Sequence, residues 1–217
     1  MSTPAAARLI AARDARQQSD YIFDFWTALG WTILSCGIYG FYVWYRLVER
    51  MREHNRRRLA FLEAANEAAW NRANEQGRAE ELRPRFERVG ADLQVMRSLS
   101  GEFRDPAIWT VLLLIGSTIV MFIIYWLLDA DLIKHGAAEA DAEQQLSELF
   151  SILGMGTVVA PPSPGPKPPH QYAMRIVATL LTCGFYSYWW LADLMREGND
   201  HFRRDWAWED AVVVAVA

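Results

Sequence analysis

One uncharged apolar run, residues 106–128, limits how this chain can fold more than any other feature. It reads PAIWTVLLLIGSTIVMFIIYWLL. A helix of that length, at about 1.5 Å per residue, spans roughly 34 Å, which is enough to cross a hydrocarbon layer of about 30 Å. Trp109, Tyr125 and Trp126 lie near its ends, where aromatic rings favour the membrane interface. The run therefore predicts a transmembrane helix.

Two further uncharged runs, residues 25–45 and 176–192, are candidates for spans. The first lies between Asp24 and Arg46, whose charges can reach the headgroups from its two ends. The second is at the short limit for a span, so a re-entrant or interfacial helix stays open for it. The chain is 52% hydrophobic, yet its mean hydropathy is only −0.03, because polar stretches separate the runs. We expect an all-α membrane protein with three transmembrane helices.

The distribution of Arg and Lys near the span ends predicts the topology, because these residues favour the cytoplasmic side. Arginines follow the first and third spans, whereas acidic residues follow the second. This pattern indicates a multi-pass protein of the cell membrane with its N-terminus outside and its C-terminus cytoplasmic. The predicted segments are a tail (1–20), a span (21–48), a cytoplasmic helical hairpin (49–105), a span (106–128), an extracytoplasmic linker (129–173), a span (174–195) and a cytoplasmic tail (196–217).

The sequence contains an internal repeat. Residues 32–42 read TILSCGIYGFY and residues 179–189 read TLLTCGFYSYW. At the same offset of 147 residues, His54 matches His201, and an Arg-Arg pair follows each histidine. Because one span lies between the copies, both are expected to run in the same direction, as a parallel repeat.

The Cys-Gly-x-Tyr core, followed by aromatic residues and a charged helix, resembles the domain-of-unknown-function 4234 family of bacterial membrane proteins. The resemblance covers residues 32–45 and 179–190, and residues 45–109 are similar to longer members. It implies an integral membrane protein, often with tandem copies, and it implies no activity, ligand or catalytic residue. The second copy departs from the pattern, because Ser187 replaces Gly40 and Asp193 replaces Arg46.

Small residues in the two copies predict close packing between their helices. Small side chains let membrane helices approach one another, although a glycine can also simply kink a helix. The predicted packing residues are Gly30, Gly37, Gly40, Gly184 and Ser187.

Cysteine, histidine and tyrosine also recur at matched positions of the two copies. We interpret Cys36 and Cys183 as small buried residues within the spans, and His54 and His201 as solvated surface residues. The aromatic residues near Tyr39 and Tyr186 indicate an interfacial belt, with a pocket for a lipid or a cation as the alternative.

The region 49–105 predicts an antiparallel helical hairpin, because apolar residues recur at helical spacing on both sides of Gly77. Its nearly balanced charge is typical of a solvated, salt-bridged helix rather than of a nucleic-acid arm. An arginine cluster just after the first span is expected to contact lipid headgroups. These residues are Arg50, Arg52, Arg56, Arg57 and Arg58.

The linker after the second span is acidic and ends in a Pro-rich spacer that begins near Pro161. Residues 137–153 predict a short amphipathic helix within it.

The net charge of −4 argues against nucleic acid as a partner. The sequence contains no metalloprotease, phosphate-loop, nucleophile-elbow or Cys-x-x-Cys motif, and no cofactor or metal is expected. We expect a non-enzymatic integral membrane protein in the lipid bilayer that docks partners through its cytoplasmic hairpin. The alternative is a small oligomeric channel or transport accessory whose repeat helices line a path. A homo-oligomer and a membrane-protein partner both stay open.

Overall fold

The structure, a computed structural model, describes residues 4–100, 105–158 and 168–216, apart from the side chain of Ser117. These residues form helices and no strand, so the all-α prediction is confirmed. None of the described helices combines the length and the apolar character that crossing a bilayer requires. The helices are α1 (Pro4–Asp14), α2 (Arg16–Ser19), α3 (Phe25–Leu34), α4 (Ile38–Glu75), α5 (Ala79–Ser100), α6 (Pro106–Ile152), α7 (Tyr172–Leu181) and α8 (Phe185–Val216).

The first repeat copy is a helical hairpin, α3–α4, and not one helix. Cys36 and Gly37 have φ values of 52° and 92°, and such left-handed backbone ends a helix. The Gly37 N–H donates to the Thr32 carbonyl at 2.8 Å and closes the turn. A Cβ placed on Gly40 would lie 3.3 Å from Thr32 Cγ2, so the two arms are in close contact. The single span predicted over 21–48 is therefore wrong.

The second repeat copy, α7–α8, is built in the same way. Cys183 and Gly184 have φ values of 49° and 93°, and the Gly184 N–H donates to the Thr179 carbonyl at 2.8 Å. The span predicted over 174–195 is interrupted at this turn. The sequence match between the two copies coincides with matched turns in the structure.

Helix α6 also folds back on itself. Arg52 Nη1 lies 3.7 Å from Asp105 Oδ2. Asn55 Nδ2 donates to Asp131 Oδ2 at 3.0 Å. On a straight helix Asp105 and Asp131 would be about 39 Å apart, whereas Arg52 and Asn55 are less than one turn apart on α4. Because side chains cannot bridge such a gap, the α6 chain must reverse its direction between Asp105 and Asp131. The central run is therefore not one straight span.

The reversal gives the central unit a hairpin shape like that of the first, and several residues of the two units match at an offset of 81. Asp24 and Asp105 take matched N-cap positions, and their carboxylates accept backbone N–H groups of α3 and α6. The same offset aligns Trp44 with Tyr125, whose rings are 5.0 Å apart. At matched depth the three units carry Leu47, Leu128 and Leu194, and then His54, His135 and His201.

The second arms of the three hairpins continue as long parallel helices that form the body of the protein. Helix α5 returns antiparallel to α4, as predicted, and α1 packs on α4 and α8. Two apolar clusters fill the interior, one near the hairpins around Trp190 and one in the body around Phe61 and Trp208. The apolar stripe of the α4–α5 hairpin is covered by α6, through Leu146 and Phe150 among others.

This packing differs from the predicted alternating topology. Residues 129–152, expected outside, belong to α6 and contact the predicted cytoplasmic hairpin, with Arg85 Nη1 2.8 Å from Glu148 Oε2. The two chain ends, expected on opposite sides, are in contact through Arg16 and Asp210 at 2.9 Å. The short helix predicted over 137–153 is the end of α6 rather than a separate element. Most of the Pro-rich spacer, 159–167, lies outside the described residues.

Candidate functional site

Three of the four histidines of the chain meet inside the body, one from each repeat unit. His54 lies on α4, His135 on α6 and His201 on α8. The ring centroids of His54 and His201 are 5.2 Å apart, and those of His54 and His135 are 6.4 Å apart. All three side chains are buried, with at most 7% of any of them exposed. The parallel packing of the three units brings these residues together.

Two carboxylates lie among the histidines. Glu139 is contacted by His201 Nε2 at 3.1 Å and by His135 Nε2 at 3.4 Å. Asp205 Oδ2 is 3.4 Å from the Nε2 atoms of both His54 and His201. We call His54, His135, Glu139, His201 and Asp205 the histidine cluster.

Polar atoms of the histidine cluster converge without making hydrogen bonds. Among the described residues, no hydrogen-bond partner is found for the Nε2 atoms of the three histidines, both carboxylate oxygens of Glu139 and Oδ2 of Asp205. Buried polar atoms are nearly always satisfied in folded proteins, and leaving one unsatisfied costs about 1–3 kcal/mol. Several buried polar atoms without hydrogen bonds lie close together here, and this arrangement needs a physical explanation.

Asp20 fixes the orientation of His54 from the opposite side of the ring. The Nδ1 atom of His54 donates to Asp20 Oδ1 at 3.0 Å, because a carboxylate can only accept. This turns the Nε2 atom of His54 toward the cluster. Asp20 is itself held by Arg57 and by the Trp206 Nε1–H, at 2.7 and 2.6 Å.

The charge around the cluster is predominantly negative. Two guanidinium groups, Arg57 and Arg58, pair with four carboxylates, and a fifth joins the network through His54 and His201. Negative charge is therefore in excess when the histidines are neutral. The carboxylates are those of Asp20, Glu139, Glu143, Asp205 and Glu209.

The pKa values of basic and acidic groups in this network are shifted by burial and by neighbouring charges. Burial alone would lower the pKa of His54, but Asp20 beside it raises that pKa well above its ordinary value. Burial alone would raise the pKa of Glu139, but His135 and His201 hold it well below its ordinary value. Burial raises the pKa of Glu209, and Arg58 and Arg57 offset part of that rise. The network around the histidines therefore favours added positive charge.

A second group, made of Asp129, His170 and Glu197, lies where α7 and α8 meet α6. Here the ring nitrogens of His170 are both engaged, because Trp190 Nε1 donates to Nδ1 at 3.0 Å and Nε2 lies 3.0 Å from Glu197 Oε1. Asp129 accepts hydrogen bonds from the His170 backbone N–H and the Tyr172 hydroxyl. Hydrogen bonds thus engage both ring nitrogens of His170 and Oδ2 of Asp129.

The hairpin end of the molecule carries an exposed apolar surface. Of the large apolar side chains that the structure describes as exposed, all but Ile10, Val95 and Val214 lie in the three hairpins. The exposed side chains include those of Trp26, Leu34, Ile38, Ile115, Ile119, Leu180, Leu181, Phe185 and Trp189. We call this the hairpin surface.

The predicted packing residues do not join the two copies as expected. Gly37 and Gly184 lie in the turns, where their positive φ is the reason for glycine. Nothing lies within 4 Å of a Cβ built on Gly30, so it makes no close contact. Gly40 makes a close contact, but within its own hairpin. The Ser187 carbonyl accepts from the Tyr125 hydroxyl at 2.6 Å, which links the third hairpin to the central one.

The headgroup assignment is wrong for three of the five arginines. Arg50, Arg57 and Arg58 are buried because each reaches partners on other helices of the body, and Arg50 donates to Asn199 Oδ1 at 2.9 Å. Arg52 is half-buried and Arg56 is exposed, and their contact with lipid stays a prediction.

The burial of the matched cysteines and histidines is the reverse of what the sequence predicts. Cys36 and Cys183 are exposed at the turns, where a buried position was expected. His54 and His201 are buried, where a solvated surface was expected. The sequence signal for the histidines was their match at the repeat offset. His135 was missed because the central unit keeps too few identical residues to be recognised as a copy.

Comparisons with protein-family models, with curated proteins and with solved structures find no match to this chain. The resemblance to the domain-of-unknown-function 4234 family therefore stays a prediction that depends on residues 32–45 and 179–190.

Proposed function

We propose that the protein is a non-enzymatic membrane protein that inserts its three hairpins into one leaflet of a lipid bilayer. The helical body then stands on the side from which the hairpins enter. The observation that supports this most strongly is the hairpin surface, because apolar side chains are exposed there on all three units. Large contiguous apolar patches mark interaction surfaces rather than ordinary solvent-facing ones.

The length of the hairpin arms favours partial insertion over spanning. Helices α3 and α7 have ten residues each, which corresponds to roughly 15 Å, or half of a hydrocarbon core of about 30 Å. Backbone polar groups within lipid must be satisfied internally, and the turns meet this need with hydrogen bonds from Gly37 and Gly184. Three short hairpins therefore suit insertion into one leaflet better than three spans.

Charged residues mark the depth to which the hairpins would enter. Arg175 Nη2 pairs with Asp193 Oδ2 at 2.9 Å near the base of the third hairpin. Arg46 stacks over the Tyr21 ring at 4.5 Å near the base of the first. Both arginines lie just outside the uncharged runs, where a guanidinium group can reach headgroups.

The non-enzymatic part of the proposal depends on access. The histidine cluster is the main concentration of reactive side chains in the described part of the chain, and its side chains are at most 9% exposed. A substrate would need a path to these atoms.

Docking through the α4–α5 hairpin and an oligomeric channel are less well supported. The apolar stripe on which docking was based is covered by α6 in the same chain. Between the central and third hairpins the rings of Tyr125 and Trp190 stack at 4.3 Å, so aromatic side chains fill the place where a path was expected.

Binding of the purified full chain to liposomes tests the proposal. The variant carries Leu34→Asp and Leu181→Asp at two exposed turn positions, which are 75% and 80% exposed and so contribute little to packing. We expect the wild-type chain to float with the liposomes and the variant to stay in the aqueous fraction.

The matched control is Val214→Asp, because Val214 is 79% exposed but lies on the body. It should float like the wild type. Equal loss of flotation in both variants would contradict insertion through the hairpins. A discrete oligomer in the absence of detergent that ignores liposomes would show that a second copy covers the hairpin surface instead.

A further inference from the structure

We propose that the histidine cluster binds one divalent transition-metal ion, which links the three repeat units. The ligands assigned are His54 and His201 through Nε2, with one carboxylate oxygen each from Glu139 and Asp205. One such atom from each of the four residues lies within 4.8 Å of the others. This inference is independent of membrane insertion, because it concerns only the interior of the body.

The distances between these atoms match a tetrahedral site. Ligands at about 2.0–2.1 Å from a tetrahedral Zn²⁺ lie about 3.4 Å from one another. The Nε2 atom of His201 lies 3.1 Å from Glu139 Oε2 and 3.4 Å from Asp205 Oδ2. The Nε2 atom of His54 lies 3.7 Å from the other Glu139 oxygen, Oε1, and 3.4 Å from Asp205 Oδ2. Because the four ligand atoms are at most 4.8 Å apart, a rotation of the Glu139 carboxylate and small side-chain shifts would enclose an ion.

The orphaned atoms are explained by the same assignment. The atoms that would bond to the metal are Nε2 of His54 and His201, one oxygen of Glu139 and Oδ2 of Asp205. All of them are among the buried atoms that have no hydrogen-bond partner among the described residues. Imidazole and carboxylate donors together suit zinc and its first-row neighbours rather than Ca²⁺, which prefers an all-oxygen site. The excess of carboxylates over guanidinium groups supplies the negative charge that a dication neutralises.

Asp20 and His135 act as positioning residues around the ligands. The hydrogen bond from His54 Nδ1 to Asp20 fixes the tautomer that presents Nε2 to the metal, which is the usual outer-sphere arrangement at histidine ligands. His135 Nε2 lies 3.4 Å from Glu139 Oε1 and can direct that carboxylate. Because the four ligands leave no vacant position, the site is of the closed, structural type.

Titration of the purified full chain with Co²⁺ and Zn²⁺ after treatment with a chelator tests the proposal. We expect one Co²⁺ per chain, a visible absorption band typical of tetrahedral nitrogen and oxygen ligands, and loss of the band when Zn²⁺ is added. We also expect the melting temperature to fall by about 5–10 °C when the metal is removed. Absence of a stoichiometric Co²⁺ spectrum in the wild-type chain would overturn the assignment without any variant.

Variants locate the site. His201→Asn and Glu139→Gln should abolish stoichiometric binding, whereas Asp20→Asn should weaken it by about 10- to 100-fold. His170→Asn is the matched control, since it removes the one histidine that lies outside the cluster, and it should bind Co²⁺ like the wild type. Full binding in His201→Asn, or loss in His170→Asn with retention in His201→Asn, would place the metal elsewhere and refute the proposal. Circular dichroism of each variant confirms that it is folded, and an unfolded His201→Asn is replaced by Asp205→Asn, for which the same outcomes apply.

Discussion

The hairpin end and the body of this protein distribute polarity in opposite ways. At the hairpin end apolar side chains such as Leu34 and Leu181 face outward, and the runs 25–45, 106–128 and 176–192 that form most of the arms have no charged residues. In the body, charged side chains such as Arg58 and Glu209 are fully buried, and salt-bridged charges such as those of Arg85 and Glu148 cover the outside. The same three helices, α4, α6 and α8, pass through both regions.

The difference shows that each region has its own stabilising interactions. At the hairpin end, exposure of apolar area to water is unfavourable by about 25 cal/mol per Å². This cost is removed only when lipid or another apolar surface covers the hairpins. The body holds buried charges together by pairing, and any charge that loses its partner there is strongly unfavourable. Removal of a charged side chain should therefore be strongly destabilising inside the body, whereas changes on the exposed side of the hairpins should mainly affect contact with lipid. The following experiments use this contrast.

The largest effect is expected inside the body, for Arg58→Ala. Arg58 is fully buried and contacts Glu139, Glu143 and Glu209. Removing it takes one cation from all three carboxylates, of which Glu209 keeps its pair with Arg57. We expect a loss of about 3–5 kcal/mol in the free energy of unfolding. Urea denaturation in detergent measures this loss. A loss below about 1 kcal/mol would show that the network is not what holds the three units together.

How far the sequence predicts this fold is clearest at the repeat. The Cys-Gly-x-Tyr match lies on two turns of the same local structure, at Cys36-Gly37 and Cys183-Gly184. The same residues were interpreted as the middle of a span, since a glycine within an apolar run is also compatible with a membrane helix. The reversal depends on the left-handed conformation of Cys36, and a non-glycine residue gives no sequence signal for that conformation.

The candidate site was less predictable, for a physical reason. His54 and His201 are separated by 147 positions, and only the parallel packing of the units places them in contact. An isolated histidine after an apolar run is usually solvated, so the sequence favoured a surface position. The third unit keeps an apolar pattern and His135 but lacks the Cys-Gly turn, so nothing in its sequence identified it as a copy.

The next effect concerns the exposed side of the hairpin end, where the two cysteines of the chain provide probes. Cys36 and Cys183 are exposed in the isolated chain and lie at the hairpin turns. If the turns are inserted in lipid, both thiols should be nearly inert to a membrane-impermeant maleimide in liposomes and reactive in detergent. A mass shift after labelling measures the modified fraction.

The control for this labelling introduces a cysteine at Arg56 or at Gln144 in a chain without the native cysteines. Both positions are exposed on the body, on α4 and α6 respectively. They should react equally with the impermeant reagent from one side of the membrane. Labelling of the two positions from opposite sides would restore the alternating three-span topology and contradict the packing of α4 on α6.

A smaller effect separates turn geometry from helix packing within one hairpin. Gly37→Ala places a Cβ on a backbone with φ of 92°, and we expect a loss of about 1–2 kcal/mol. Gly30→Ala adds a Cβ in open space inside α3, and we expect no loss and a gain of up to about 1 kcal/mol from helix propensity. Thermal unfolding of both variants in detergent shows whether each substitution lowers or raises the stability. A loss for Gly30→Ala would indicate that this face of α3 packs against another helix or chain.

The smallest effect is expected for Arg85→Ala, the outer counterpart of Arg58→Ala. Arg85 Nη1 lies 2.8 Å from Glu148 Oε2, so the distance alone resembles that of the buried pairs. Both side chains are more than one third exposed, however, and water replaces the lost partner on each. We therefore expect the free energy of unfolding to change by less than about 1 kcal/mol. Arg58→Ala and Arg85→Ala both remove an arginine from an ion pair, so the ratio of their losses in the free energy of unfolding measures the effect of burial rather than of charge. A ratio near one would mean that the interior of the body is hydrated. The two regions would then differ only in the exposed apolar side chains of the hairpins.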